Sequence, residues 1–189
     1  MAGYSDLSIN TKAYLDCYYS ILNEMMEQMT SAPQAGSISG NFIVQMMPHH
    51  RAAIKMSENL LRYTTYISLQ NMALNIIAEQ KKSIENMKKV YPCCCTLVNK
   101  PAELQSYRRD NERILQNMFR EMKSAVVDNN INVCFIREMI PHHKGAVLMC
   151  ENMLRYPGCP ELVPILEAIT VSQKKGIIQM QQMLKEIRF

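Results

Sequence analysis

All four histidines of the chain lie in two Pro-His-His triplets, Pro48-His49-His50 and Pro141-His142-His143. Imidazoles in pairs can move protons or ligate borderline and soft metals. Met46 and Met139 stand one helical turn before His49 and His142, and Met56 and Met149 two turns beyond them. Thioether sulfur is a soft donor that selects Cu(I) over magnesium, calcium or manganese. There are 16 Met against 4 Phe and no Trp, so methionine also serves as core filler here, and the bland reading of any one methionine is packing.

The carboxylates that would turn such a cluster into an enzyme are missing. A ferritin-type di-iron oxidase needs two Glu-x-x-His motifs and two further glutamates. Three residues before His49 and His142 this chain has Met46 and Met139. Glu138 lies one turn before His142, but the matching residue before His49 is Gln45. Hydrolysis at zinc wants a general-base carboxylate beside the metal, and none recurs. The expectation is therefore a non-enzymatic bundle that binds a soft metal, copper first and zinc second. Its candidate ligands are His49, His50, His142, His143, Met46, Met139, Met56 and Met149. The alternative is a structural or scaffold bundle whose buried His pairs only fix helix register.

The elements that must position these residues are duplicated. Residues 42–63 read FIVQMMPHHRAAIKMSENLLRY and residues 135–156 read FIREMIPHHKGAVLMCENMLRY, identical at thirteen of 22 positions with an offset of 93. The offset holds without a gap on both sides, from Tyr14 and Tyr107 to Met87 and Met180. Each copy reads as three helices, at 11–29, 40–63 and 68–90, then 102–127, 133–156 and 161–187. Ser39 and Asn132 stand as N-caps of the second helices. Apolar residues recur at spacings of 4 and 3 along Phe42, Met46, His49, Ala53, Met56 and Leu60, which is a bundle seam. His50 lies on a second seam beside it. Antiparallel packing of the second and third helices sets His49 level with Gln80 and Ser83, with small Ser83 and Gly176 leaving room beside the rings. Pro48 and Pro141 predict kinks just before the histidines. The whole is one all-α domain, 1–189, with pseudo-two-fold symmetry: repeats 11–91 and 102–187, joined by a linker at 92–101.

The Met-x-Pro-His-His-x-x-Ala-x-x-Met string, followed by Gln and Met seven apart (Gln80 and Met87; Gln173 and Met180), resembles the bacterial family called domain of unknown function 305. The resemblance covers residues 42–90 and 135–187. It implies a ferritin-like four-helix bundle built from two hairpins, with one extra helix per repeat packed on it, and paired histidines at 49, 50, 142 and 143. It also implies a link to copper in some members, and frequent secretion. This chain departs from the family where Glu usually follows the Gln by three residues: Ser83 and Gly176 stand there.

Composition narrows the partners. A net charge of +4 with no basic run or aromatic cluster excludes a nucleic-acid platform. No stretch approaches the ~20 apolar residues of a membrane span. Seven Cys cannot close into a full set of internal disulfides. With no leader pattern at the N-terminus, the expectation is a cytoplasmic protein with reduced thiols, binding a metal ion, with a homo-oligomer left open. The run Cys93-Cys94-Cys95 reads as an exposed linker segment without metal or redox spacing.

Overall fold

The computed structural model describes residues 6–187. They form α1 (Ile9–Thr30), α2 (Ile38–Leu61), α3 (Ile67–Cys94), α4 (Pro101–Lys123), α5 (Ile131–Met153) and α6 (Val163–Ile187). A 3-10 turn at Pro160–Leu162 leads into α6. No strand occurs among the described residues, as apolar spacings of 3 and 4 require. The hairpins α2–α3 and α5–α6 pack on each other through α2 with α5 and α3 with α6. α1 lies on α2, and α4 lies on α5. This is the all-helical bundle that the duplicated pattern demands. Among the described residues, no helix is long and apolar enough to cross a membrane.

The starts of α2 and α5 differ from the expected ones by two residues. Ser37, not Ser39, caps α2, its Oγ accepting from the Gly40 N–H at 3.1 Å. Asn130, not Asn132, caps α5 by accepting from the Asn132 N–H. Ser39 lies inside the first turn, where its hydroxyl accepts from the Cys159 N–H at 2.9 Å. α2 and α5 run through Pro48 and Pro141 as continuous helices. α4 stops at Lys123, four residues before the expected end. α3 continues through Pro92 to Cys94, so the connection to α4 is 95–100, shorter than expected. The cysteine run is thus a helix end and not a free linker: Cys93 is exposed, Cys94 buried and Cys95 half-buried.

The seam residues fill the core. Phe42, Met46, Ala53, Met56 and Leu60 are almost wholly buried, as are Phe135, Met139, Ala146, Met149 and Met153. Each large side chain removed from water contributes roughly 1.5–3 kcal/mol. Polar pins repeat at the offset of 93. Asn59 Nδ2 donates to the Tyr14 carbonyl at 3.0 Å, and Asn152 Nδ2 to the Tyr107 carbonyl at 3.3 Å. Tyr14 meets Tyr63 edge-on at 6.0 Å, and Tyr107 meets Tyr156 at 5.9 Å. These contacts fix α1 on α2 and α4 on α5, and so hold the inner helices that carry the histidines.

Candidate functional site

The four histidines sit at the crossing of α2 and α5, each at most 2% exposed. His49 and His142 stack with ring centroids 3.6 Å apart and planes 27° from parallel. Their hydrogen bonds are reciprocal: His49 Nε2 donates to the His142 carbonyl, and His142 Nε2 to the His49 carbonyl, both at 3.1 Å. A carbonyl can only accept, so each Nε2 carries the proton. Burial keeps the rings neutral, with neighbouring imidazoles adding to it at His49, His50 and His143: His49 and His143 titrate well below the usual histidine range, His50 at about 3 and His142 at about 4. A neutral ring with a protonated Nε2 has a lone pair at Nδ1. The Nδ1 atoms of all four rings are buried without a hydrogen-bond partner.

The outer histidines differ from each other. His50 Nε2 lies 3.0 Å from Ser83 Oγ on α3, so it is His50, and not His49 as expected, that stands level with Ser83. At the matching place in the second repeat, Gly176 packs directly on His143. A Cβ there would lie 2.9 Å from the ring Cδ2 and 3.1 Å from Nε2. Gly176 therefore leaves no spare room; the ring already fills it. Gln80 and Gln173 are buried too, and the Oε1 of each lacks a partner. They line a cleft of about 310 Å³ between α3 and α6 that reaches His50 and Ser83.

One family model, that of the domain of unknown function DUF305, matches residues 20–91 and 39–184. The chain belongs to this family. A crystal structure of a DUF305 fragment from Deinococcus radiodurans is similar in fold, with a TM-score of 0.57 and 23% identity over 82% of this chain and 99% of that one. No curated protein matches.

In this DUF305 chain the methionines named as ligands are all buried on the histidine helices. Met46 and Met139 share a face with His49 and His142 one turn away. Seven residues of continuous helix place Met56 and Met149 roughly 10 Å along the axis from those rings, too far to join the same ion. Among the described residues, the histidines do not gather three ring nitrogens within 4.8 Å of one another; the mixed cluster that does meet that distance is Cys93, Cys159 and Glu161. Glu138 turns away from His142. Its Oε2 accepts from the Tyr14 hydroxyl at 2.5 Å, and burial raises its carboxyl to about 8. The counterpart Gln45 instead accepts from Asn111 and donates to the Met29 carbonyl.

Sequence reasoning passed over Asn59 and Asn152, although both lie inside the matched string and keep their identity at the offset. It also passed over Cys159 and Glu161, which have no counterpart in the other copy and so gave no repeat signal. Tyr66 and Ser68 stand at the equivalent positions.

Proposed function

We propose that this protein is a non-enzymatic, soft-metal-binding bundle that takes copper as Cu(I) at its histidine centre. The observation that carries the reading is the set of four buried, neutral imidazoles whose Nδ1 atoms have no partner, with a free lone pair fixed by the Nε2 bonds at His49 and His142. Leaving a buried polar atom unpaired costs roughly 1–3 kcal/mol, and a bound cation offsets that cost where a hydrophobic contact cannot. The Nε2-to-carbonyl bonds of His49 and His142 are the outer-sphere contacts that orient a metal-binding imidazole and fix its tautomer. Met46 and Met139 add soft donors on the same faces, and Cu(I) accepts few ligands. Among the described residues no carboxylate is hydrogen-bonded to a ring, which disfavours hard cations and general-base chemistry. Seven unpaired cysteines suit a reducing compartment that keeps copper as Cu(I), which we take to be the cytoplasm.

A second reading has its own support. The reciprocal bonds of the stacked pair tie α2 to α5 at one register, so His49 and His142 alone would serve as structural anchors.

The two readings separate by Cu(I) titration of the reduced, untagged protein against a chromophoric Cu(I) chelator. The wild type and a variant with Cys93, Cys94, Cys95 and Cys159 changed to Ser should compete for Cu(I). A variant with all four histidines changed to Ala should not. The Met46→Leu, Met139→Leu double variant keeps the core filled and should bind more weakly. Loss of affinity in the cysteine variant alone would leave the histidines as register anchors.

A further inference from the structure

The end of α3 and the approach to α6 meet at a place the histidine centre does not use. Donor atoms of Cys93, Cys159 and Glu161 all lie within 4.8 Å of one another. Cys159 Sγ donates to Glu161 Oε2 at 3.0 Å, and the Cys94 thiol is hydrogen-bonded to Cys159 from the buried side. We propose that Cys93, Cys159 and Glu161 form a Zn²⁺ site that clips the first repeat to the second.

The donor set selects the ion. Two thiolates and a carboxylate, with a fourth position left to water, match tetrahedral zinc, whereas Cu(I) has little use for a carboxylate. Zinc–sulfur bonds of ~2.3 Å set two sulfurs ~3.8 Å apart, so the observed cluster must tighten by at most about 1 Å. The exposed Cys93 and Glu161 side chains can supply that by rotation. Cys94, buried behind Cys159, is not one of the three residues whose donor atoms meet, and it is outside the set.

The backbone around the cluster is already fixed. Cys159 N–H donates to Ser39 Oγ at 2.9 Å. Ser37 Oγ donates to the Cys94 carbonyl at 2.6 Å. Asn99 Nδ2 donates to the Pro157 carbonyl at 2.8 Å. Gly40 lets the start of α2 come so near α3 that a Cβ there would lie 3.2 Å from the Cys95 Cα. The pseudo-symmetric place shows that the fold does not need this chemistry. Positions 66 and 186, equivalent to 159 and 93, also meet, but there the Tyr66 hydroxyl faces Glu186 Oε2 at 3.5 Å.

Without metal, burial holds the Cys159 thiol well above its ordinary range, with Cys94 and Glu161 adding to it. Zinc binding would release both thiol protons to solvent, so affinity should rise with pH. The test uses the full chain, reduced and chelator-treated, titrated with Co²⁺ alone and then with Zn²⁺. One equivalent of Co²⁺ should give a thiolate-to-cobalt charge-transfer band and tetrahedral visible bands, both erased by Zn²⁺. Cys93→Ser should lose the charge-transfer intensity, and since Cys93 is exposed its helicity should be unchanged. Glu161→Gln should weaken binding by about tenfold or more, and Cys94→Ser should retain it. The proposal is overturned if no band forms, or if the band survives Cys93→Ser. It is equally overturned if thiol trapping in cells finds Cys159 quantitatively disulfide-bonded to Cys93 or Cys94.

Discussion

At the scale of single residues, identical types at equivalent positions have different work to do. Tyr14 and Tyr107 are matched across the repeats and both are buried. The Tyr14 hydroxyl donates to Glu138, whereas the Tyr107 hydroxyl has no partner. Tyr14→Phe should therefore cost about 1–3 kcal/mol, and Tyr107→Phe should be neutral or slightly stabilising. Urea midpoints of the two variants check this; equal losses would contradict it. Titration adds a second expectation for the metal-free protein. Glu138 protonates at about 8 in the fold but near ~4.3 in an unfolded chain. The stability it contributes is full below ~4.3 and is lost as pH rises through 8. The histidines run the other way. Their folded values are lowered, so the unfolded chain takes up protons below ~6.5 that the fold refuses. Their contribution is present above ~6.5 and lost as pH falls toward 4. Four histidines outweigh one glutamate on the acid side. The urea midpoint should peak near pH ~6.5, and Glu138→Gln should flatten the decline between about 6.5 and 8.

At the scale of elements, the register of α6 against α5 rests on a glycine. Gly176 in mid-helix is a poor helix former, and alanine there would gain up to ~1 kcal/mol in propensity. The added methyl would press on a fully buried ring that has nowhere to move. Gly176→Ala should lower stability by about 1–3 kcal/mol in spite of the propensity gain. Thermal unfolding followed by circular dichroism measures it, and a raised midpoint would show that α5 and α6 can slide apart. Ser83 at the matching place on α3 accommodates its histidine by a hydrogen bond instead. The two hairpins are thus copies in outline and complements in detail.

At the scale of the molecule, neither half can satisfy its own centre. His49 Nε2 finds its acceptor on α5, and His142 Nε2 finds its acceptor on α2. Tyr14 of α1 likewise reaches Glu138 of α5, and Tyr18 reaches the Met122 carbonyl of α4. Fragments 1–97 and 98–189 produced separately should be poorly helical, and mixing them should restore helix beyond the sum of the parts. Circular dichroism of the mixture decides it. A cooperative, monomeric melt of either fragment alone would show that a single hairpin with its extra helix is self-sufficient.

The sequence by itself determined the helices, their seams and the burial of the histidines. Those follow from local periodicity and from an offset of 93 that relates Phe42 to Phe135 and His49 to His142. It did not determine what each polar atom meets. Whether Glu138 turns to His142 or to Tyr14 depends on the rotation of α1, which no spacing within α5 encodes. The Cys93–Cys159–Glu161 cluster lies beyond any repeat signal, because it joins positions 66 residues apart that differ from their equivalents. Even the cap of α2 lies two residues from the expected one, and Ser39 instead accepts from the backbone of Cys159 across the bundle. Periodicity reports which face is inside, whereas a hydrogen bond needs a partner within about 3 Å, and only the packing of one helix on another supplies that.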